Sequence, residues 1–145
     1  MDLTQALPIA IHLETVTVQE DTRQDFVIDV DGQIVKIGDT LYIRYKEEAT
    51  DATEEIPVTI KILPDGSIQL IRAGEMRLRL KFTYKERNGS QYKAPFGMLF
   101  FSTYTHNLHV SLTDKPIAGA VSLSYDLYMA EQKIGEYSLS LTFTV

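Results

Sequence analysis

Arg72 is the side chain whose setting in the sequence most invites chemistry. It follows Ile68 and Leu70 in an alternating run that continues through Gly74 to Met76 and Leu78, so it falls on the apolar side of that run. A guanidinium cannot be neutralised, and on a dry face it must find a carboxylate, carbonyls or water. One reading is an inward Arg at the mouth of a barrel, gripping a carboxylate or phosphate on a ligand. The plainer and expected reading is a strand-end Arg, turned to solvent beside Gly74 or paired with an acidic neighbour. A second candidate is the aromatic segment Tyr92, Phe96, Phe100, Phe101 and Tyr104, bent by Pro95 and by Gly97, which tolerates positive φ. It reads as a rim over a pocket, or, the favoured reading, as a corner whose rings plug an interior that has no Trp. If a ligand site exists, its candidate residues are Arg72, Met76, Tyr92, Phe96, Tyr104 and Tyr125, and the ligand they suit is small and apolar or anionic.

Other chemistries find little support. There is no Cys, which excludes disulfides, thiolate metal sites and cysteine nucleophiles. His106 and His109 are three apart, which places them on opposite faces of a strand, and His12 is remote, so no metal is expected. Glu47, Glu48, Asp51, Glu54 and Glu55 crowd one stretch without the spacing of a calcium loop, and read as a solvated loop. No Ser lies in a nucleophile motif, and no Gly-rich phosphate loop occurs. Asp29 and Asp126 fall on the wet faces of their runs, so no acid–base pair stands out. No catalytic residue and no cofactor are expected. With 14 Lys and Arg against 20 Asp and Glu, the formal charge of −6 argues against nucleic acid as a partner.

The elements that would carry these residues are strands. Met76, Leu78, Leu80, Phe82 and Tyr84 alternate with Arg77, Arg79, Lys81 and Thr83. Val121, Leu123, Tyr125, Leu127 and Met129 alternate with polar or small residues, as do Tyr137, Leu139, Leu141, Phe143 and Val145. Ile9, Ile11 and Leu13 share one phase and Val16 and Val18 the other, which predicts a β-bulge between Leu13 and Val16. Turns are expected at Asp31-Gly32, Gly38-Asp39, Pro64-Asp65-Gly66, Asn88-Gly89, Asp114-Lys115-Pro116 and Gln132 to Gly135. The expectation is one all-β domain over residues 1–145, a closed antiparallel up-and-down β-barrel of about eight to ten strands. With 145 residues, 44% hydrophobic and 23% charged, one core is affordable and a second is not.

In the middle of the chain the residues resemble a family. Ile71-Arg72-Ala73-Gly74-Glu75-Met76, Tyr92-Lys93-Ala94-Pro95-Phe96-Gly97 and Thr103-Tyr104-Thr105 resemble the YwiB-like family of small bacterial proteins, as do Val121 to Tyr128 and Leu139 to Thr142. The likeness runs from about Asp31 to Val145, with Ala94 where the family pattern more often has Thr. It implies a calycin-like (lipocalin-like) barrel in the cytoplasm and brings neither an activity nor site residues. The N-terminus has no basic region before its apolar stretch, and no apolar run approaches a spanning helix, so neither export nor membrane insertion is expected. The functional expectation is a small-molecule-binding barrel with an apolar interior. The alternative is a protein-interaction module, monomeric or homodimeric, using its outer face.

Overall fold

The computed structural model describes residues 4–48, 55–74 and 77–145. Ten strands follow one another: β1 (Leu7–Gln19), β2 (Thr22–Ile37), β3 (Thr40–Glu48), β4 (Glu55–Ile62), β5 (Ile68–Ala73), β6 (Arg77–Phe82), β7 (Arg87–Ala94), β8 (Gly97–Asp114), β9 (Ile117–Met129) and β10 (Gln132–Thr144). Each pairs antiparallel with the next, and β10 pairs back onto β1 from Ala10↔Thr144 to Val18↔Glu136, so the meander closes into a barrel. Closure leaves no strand at an outer edge along the paired lengths. The expected topology is the observed one.

Residues opposite one another in an antiparallel ladder share a face, so the ladders lay the alternating runs into rows across the wall. Leu41, Ile62, Ile68 and Phe82 form one core-facing row, and Ile43, Ile60, Leu70 and Leu80 the next. On the far wall Ile11, Phe143 and Gly119, then Leu13, Leu141 and Val121, face the same core. Ile34, Ile43, Phe82 and Leu141 have no exposure at all. The outer residues of β6, Arg77, Arg79 and Lys81, are all exposed, as their alternation predicts.

Four local expectations are corrected. β1 has no bulge: its ladders to β2 and β10 run without a register shift through Leu13 to Val16, so Val16 and Val18 lie on the outer face while Thr15 and Thr17 take the inner phase. Asp31-Gly32 is not a turn but lies inside β2, and the hairpin turns instead at Glu20 and Asp21, both with positive φ. Gly32 is there for closeness, since a Cβ would lie 2.4 Å from the Arg44 carbonyl oxygen and 2.7 Å from Ile11 Cδ1. Asn88-Gly89 belongs to β7, and the chain reverses earlier, at Thr83 to Glu86, where Glu86 N donates to the Thr83 carbonyl. The last hairpin turns at Ala130 and Glu131, again both at positive φ, rather than at Gln132 to Gly135, which form the start of β10. Two successive positive φ values give the turn twist that matches twisted strands. The turns at Gly38, at Pro64 to Gly66 and at Lys115-Pro116 stand where the sequence puts them.

Candidate functional site

The barrel wall parts between β2 and β3. β2 pairs with β1 from Thr22 to Ile34, but its ladder to β3 begins only at Gly32↔Tyr45. Thr22 to Asp31 therefore continue beyond the last rung with one side unpaired among the described residues. Phe26 and Ile28 lie opposite Thr15 and Leu13 on β1, and Leu13 is a core residue. They thus carry the core-facing phase, yet Phe26 is 50% and Ile28 36% exposed. Apolar side chains that point inward and still meet solvent mark an open end of the barrel. An open cleft of about 1180 Å³ runs between β2 and the β3–β4 pair, lined both by core-phase residues such as Ile28, Tyr45 and Val58 and by outward ones such as Asp31, Arg44 and Lys46.

Arg72 stands at this end. It lies opposite Val58 on β4 and Leu78 on β6, and Val58 lies opposite Tyr45, so Tyr45, Val58, Arg72 and Leu78 make one core-facing row. The guanidinium is inward by phase, as the alternation predicts, and it is paired with an acidic neighbour: Arg72 Nη2 donates to Glu47 Oε2 at 2.7 Å. Tyr45 O–H donates to the other oxygen of Glu47 at 3.4 Å. Burial, with the Glu47 charge behind it, pushes the Tyr45 phenol well above its ordinary range, while Arg72 pulls the other way. Tyr45 therefore stays a donor. Arg72 Nε is buried and has no hydrogen-bond partner among the described residues. Arg72 thus has more donors than Glu47 satisfies.

The other expected site residues divide into three groups. Tyr92 extends the Arg72 row, opposite Leu78, with its ring edge against Phe101 at 5.9 Å. Tyr125 lies deeper in the same interior, 4.5 Å from the Phe82 ring and stacked on Tyr137 at 5.2 Å, and burial pushes its phenol far up. Tyr104 and Phe96 are elsewhere. Tyr104 meets the His106 ring at 4.9 Å, and Phe96 sits in the β7–β8 turn, 82% exposed. Neither shares the Arg72 row: Phe96 lies outside the ladders, and Tyr104 has the outward phase of β8. Met76 lies outside the described residues.

The β8 phase carries a further correction. A bulge between Thr105 and Asn107 shifts the alternation, so buried Thr103 and Thr105 give way to inward Leu108 and Val110. His106 and His109 consequently are both exposed rather than on opposite faces. The extra residue at the bulge lets His106 Nε2 reach Asp126 Oδ2 at 2.7 Å. Asp126, placed on a wet face by its alternation, is only 7% exposed, and Lys133 Nζ closes over its other oxygen at 3.5 Å. On the outer face of β1, His12 Nδ1 meets Asp29 at 2.6 Å, and that hydrogen bond, with Glu14 adding to it, raises the imidazole above its ordinary value. Among the described residues no group of three or more His, Asp or Glu side chains is placed to hold a metal. Nor, among the described residues, is any helix long and apolar enough to cross a membrane.

Sequence reasoning missed Glu47, Tyr45, Phe26 and Ile28. The signal for the first two was present: Leu41, Ile43, Tyr45 and Glu47 alternate, which carries Glu47 onto the same face as Arg72.

The chain belongs to the DUF1934 family, a domain of unknown function, which it matches over residues 11–141. It is similar to the uncharacterized β-barrel protein YwiB of Bacillus subtilis (strain 168), with 21% identity over 142 residues, covering 97% of this chain and 96% of that one. The crystal structure of the ywiB protein from Bacillus subtilis superposes with a TM-score of 0.80 at 19% identity, covering 96% of this chain and 92% of that chain. At that identity the likeness speaks for the barrel and for nothing finer.

Proposed function

We propose that this DUF1934 barrel binds a small amphiphile, apolar along its body and anionic at one end, at the mouth between β2 and β3. The observation that carries the reading is the pair of inward-phase, solvent-exposed side chains Phe26 and Ile28 on the same open end as Arg72. Apolar surface left wet at a concave site is what a ligand with an apolar body would cover. Arg72 supplies the polar recognition. Its fork has donors to spare beyond Glu47, and a carboxylate or phosphate is the acceptor that fits such a fork. Glu47 holds the guanidinium in place, so little ordering is needed on binding. The action is binding rather than catalysis: among the described residues the mouth presents an ion pair and a phenol held protonated, and no nucleophile–base pair.

Sodium decanoate is a suitable probe, with decanol as its uncharged counterpart. The protein is expected to bind decanoate saturably in isothermal titration calorimetry, and Arg72→Met is expected to weaken decanoate about ten-fold while leaving decanol within two-fold, the worth of one charge-assisted contact. Native mass spectrometry of the purified protein reports any ligand retained from the cell. Absence of saturable binding by either probe overturns the reading. Equal losses for decanoate and decanol remove Arg72 from it.

A further inference from the structure

A second surface, on the outside of the barrel and separate from the mouth, combines cations with exposed rings. β6 turns Arg77, Arg79 and Lys81 outward in a row, although the chain as a whole carries a charge of −6. Arg77 and Arg79 have no ion-pair partner among the described residues. Two strands away, β8 turns Met98 and Phe100 outward, 47% and 63% exposed, in line with Phe96 in the preceding turn. Between the rows lies β7, whose outward Gln91 floors the stretch opposite Phe100, while Gly89, opposite Ser102, leaves bare floor further along: a Cβ there would touch nothing within 4 Å. Among the described residues the ladder between β6 and β7 shows one rung, Leu78↔Tyr92, and Thr103 Oγ1 of β8 donates to the Lys81 carbonyl at 2.7 Å. The result is a groove of about 940 Å³ with cations on one bank and apolar side chains on the other.

We propose that this groove binds an extended segment of a partner protein in which acidic and apolar residues alternate. The warrant is commensurate geometry. Same-face residues on β6 and on β8 repeat at about 6.5–7 Å, and an extended peptide repeats its same-side residues at that distance too. Laid along β7, such a segment sends its carboxylates to Arg77, Arg79 and Lys81 and its intervening apolar side chains to Met98 and Phe100. Along Arg77 and Arg79 the banks are two strand spacings apart, about 9–10 Å, which side chains leaving both sides of one extended backbone can span, and they converge at Lys81, whose carbonyl Thr103 of β8 reaches. The net charge of −6 selects a short segment with two or three carboxylates over a long polyanion, whose remaining charges the rest of the surface repels.

Fluorescence anisotropy with a dye-labelled Glu-Leu-Glu-Phe-Glu peptide tests this, against a peptide of the same composition with its glutamates grouped. The alternating peptide is expected to bind about ten-fold tighter than the grouped one. Arg77→Glu with Arg79→Glu is expected to abolish that binding, and Phe100→Ser to weaken it about five-fold. All three positions are exposed, so thermal melts should stay unchanged and separate loss of binding from loss of fold. Arg72→Met should leave peptide affinity alone, which separates this groove from the mouth. Equal affinity for the two peptides overturns the proposal, as does indifference to the charge reversal. Tighter binding of a labelled ten-nucleotide oligothymidine assigns the groove to a phosphate chain and overturns it. Self-association lost on charge reversal, with no peptide binding, assigns it to a second copy and overturns it as well.

Discussion

Phe82→Ala is expected to cost about 4 kcal/mol of unfolding free energy, the upper range for truncating a buried aromatic. Phe82 has no solvent exposure, ends a core-facing row across β3 to β6, and lies 4.5 Å from the Tyr125 ring, which in turn stacks on its cross-strand neighbour Tyr137. Removing the ring leaves Tyr125 without its neighbour on one side, and a closed wall has little freedom to collapse into the space. Equilibrium urea unfolding followed by far-UV circular dichroism measures the loss as a lower midpoint at unchanged slope. Phe82→Leu, which keeps most of the volume, should recover more than half of it. A loss below about 1 kcal/mol for the Ala variant would place Phe82 outside a packed interior.

Gly32→Ala is expected to destabilise by about 3 kcal/mol, an unusual penalty for adding one methyl group. The obstacle is backbone: the new Cβ would sit 2.4 Å from the Arg44 carbonyl oxygen, which no rotamer change can relieve. The strand must shift, and the rung it would disturb, Gly32↔Tyr45, is the last one joining β2 to β3 before the wall parts. Gly89→Ala is the matched control. It lies in a strand, has open space at its Cβ and should change stability by less than about 0.5 kcal/mol. Equal effects at the two positions would show that the close approach at Gly32 does not exist in solution.

These two positions also show what the amino-acid sequence can and cannot disclose. Phe82 was legible, because Leu78, Leu80 and Phe82 alternate with Arg77, Arg79 and Lys81, and period two is a local property of a strand with one wet face. Gly32 was misread. Asp31-Gly32 has the composition of a hairpin turn, whereas what demands glycine there is the approach of Arg44 and Ile11, both remote in sequence. The β8 bulge had a trace, the switch from Thr103 and Thr105 to Leu108 and Val110, but hydroxyls on a core face disguise the phase. At the site, Arg72 stood out because a charge on an apolar face is conspicuous, and Glu47 could have been found by the same alternation. Phe26 and Ile28 could not. Their exposure arises because β2 and β3 part after Gly32↔Tyr45 while both strands run on, and a parting of neighbouring strands leaves no mark in either one.

The claim on which the functional reading rests is that the interior opens to ligand at the end where β2 and β3 part. Backbone amide NMR during titration with sodium decanoate addresses it directly. Saturable shifts concentrated at Phe26, Ile28, Tyr45, Glu47 and Arg72, with Arg77, Arg79 and Phe100 unmoved, are the predicted result. Shifts that fall on the outer strand faces, or none that saturate, would contradict it.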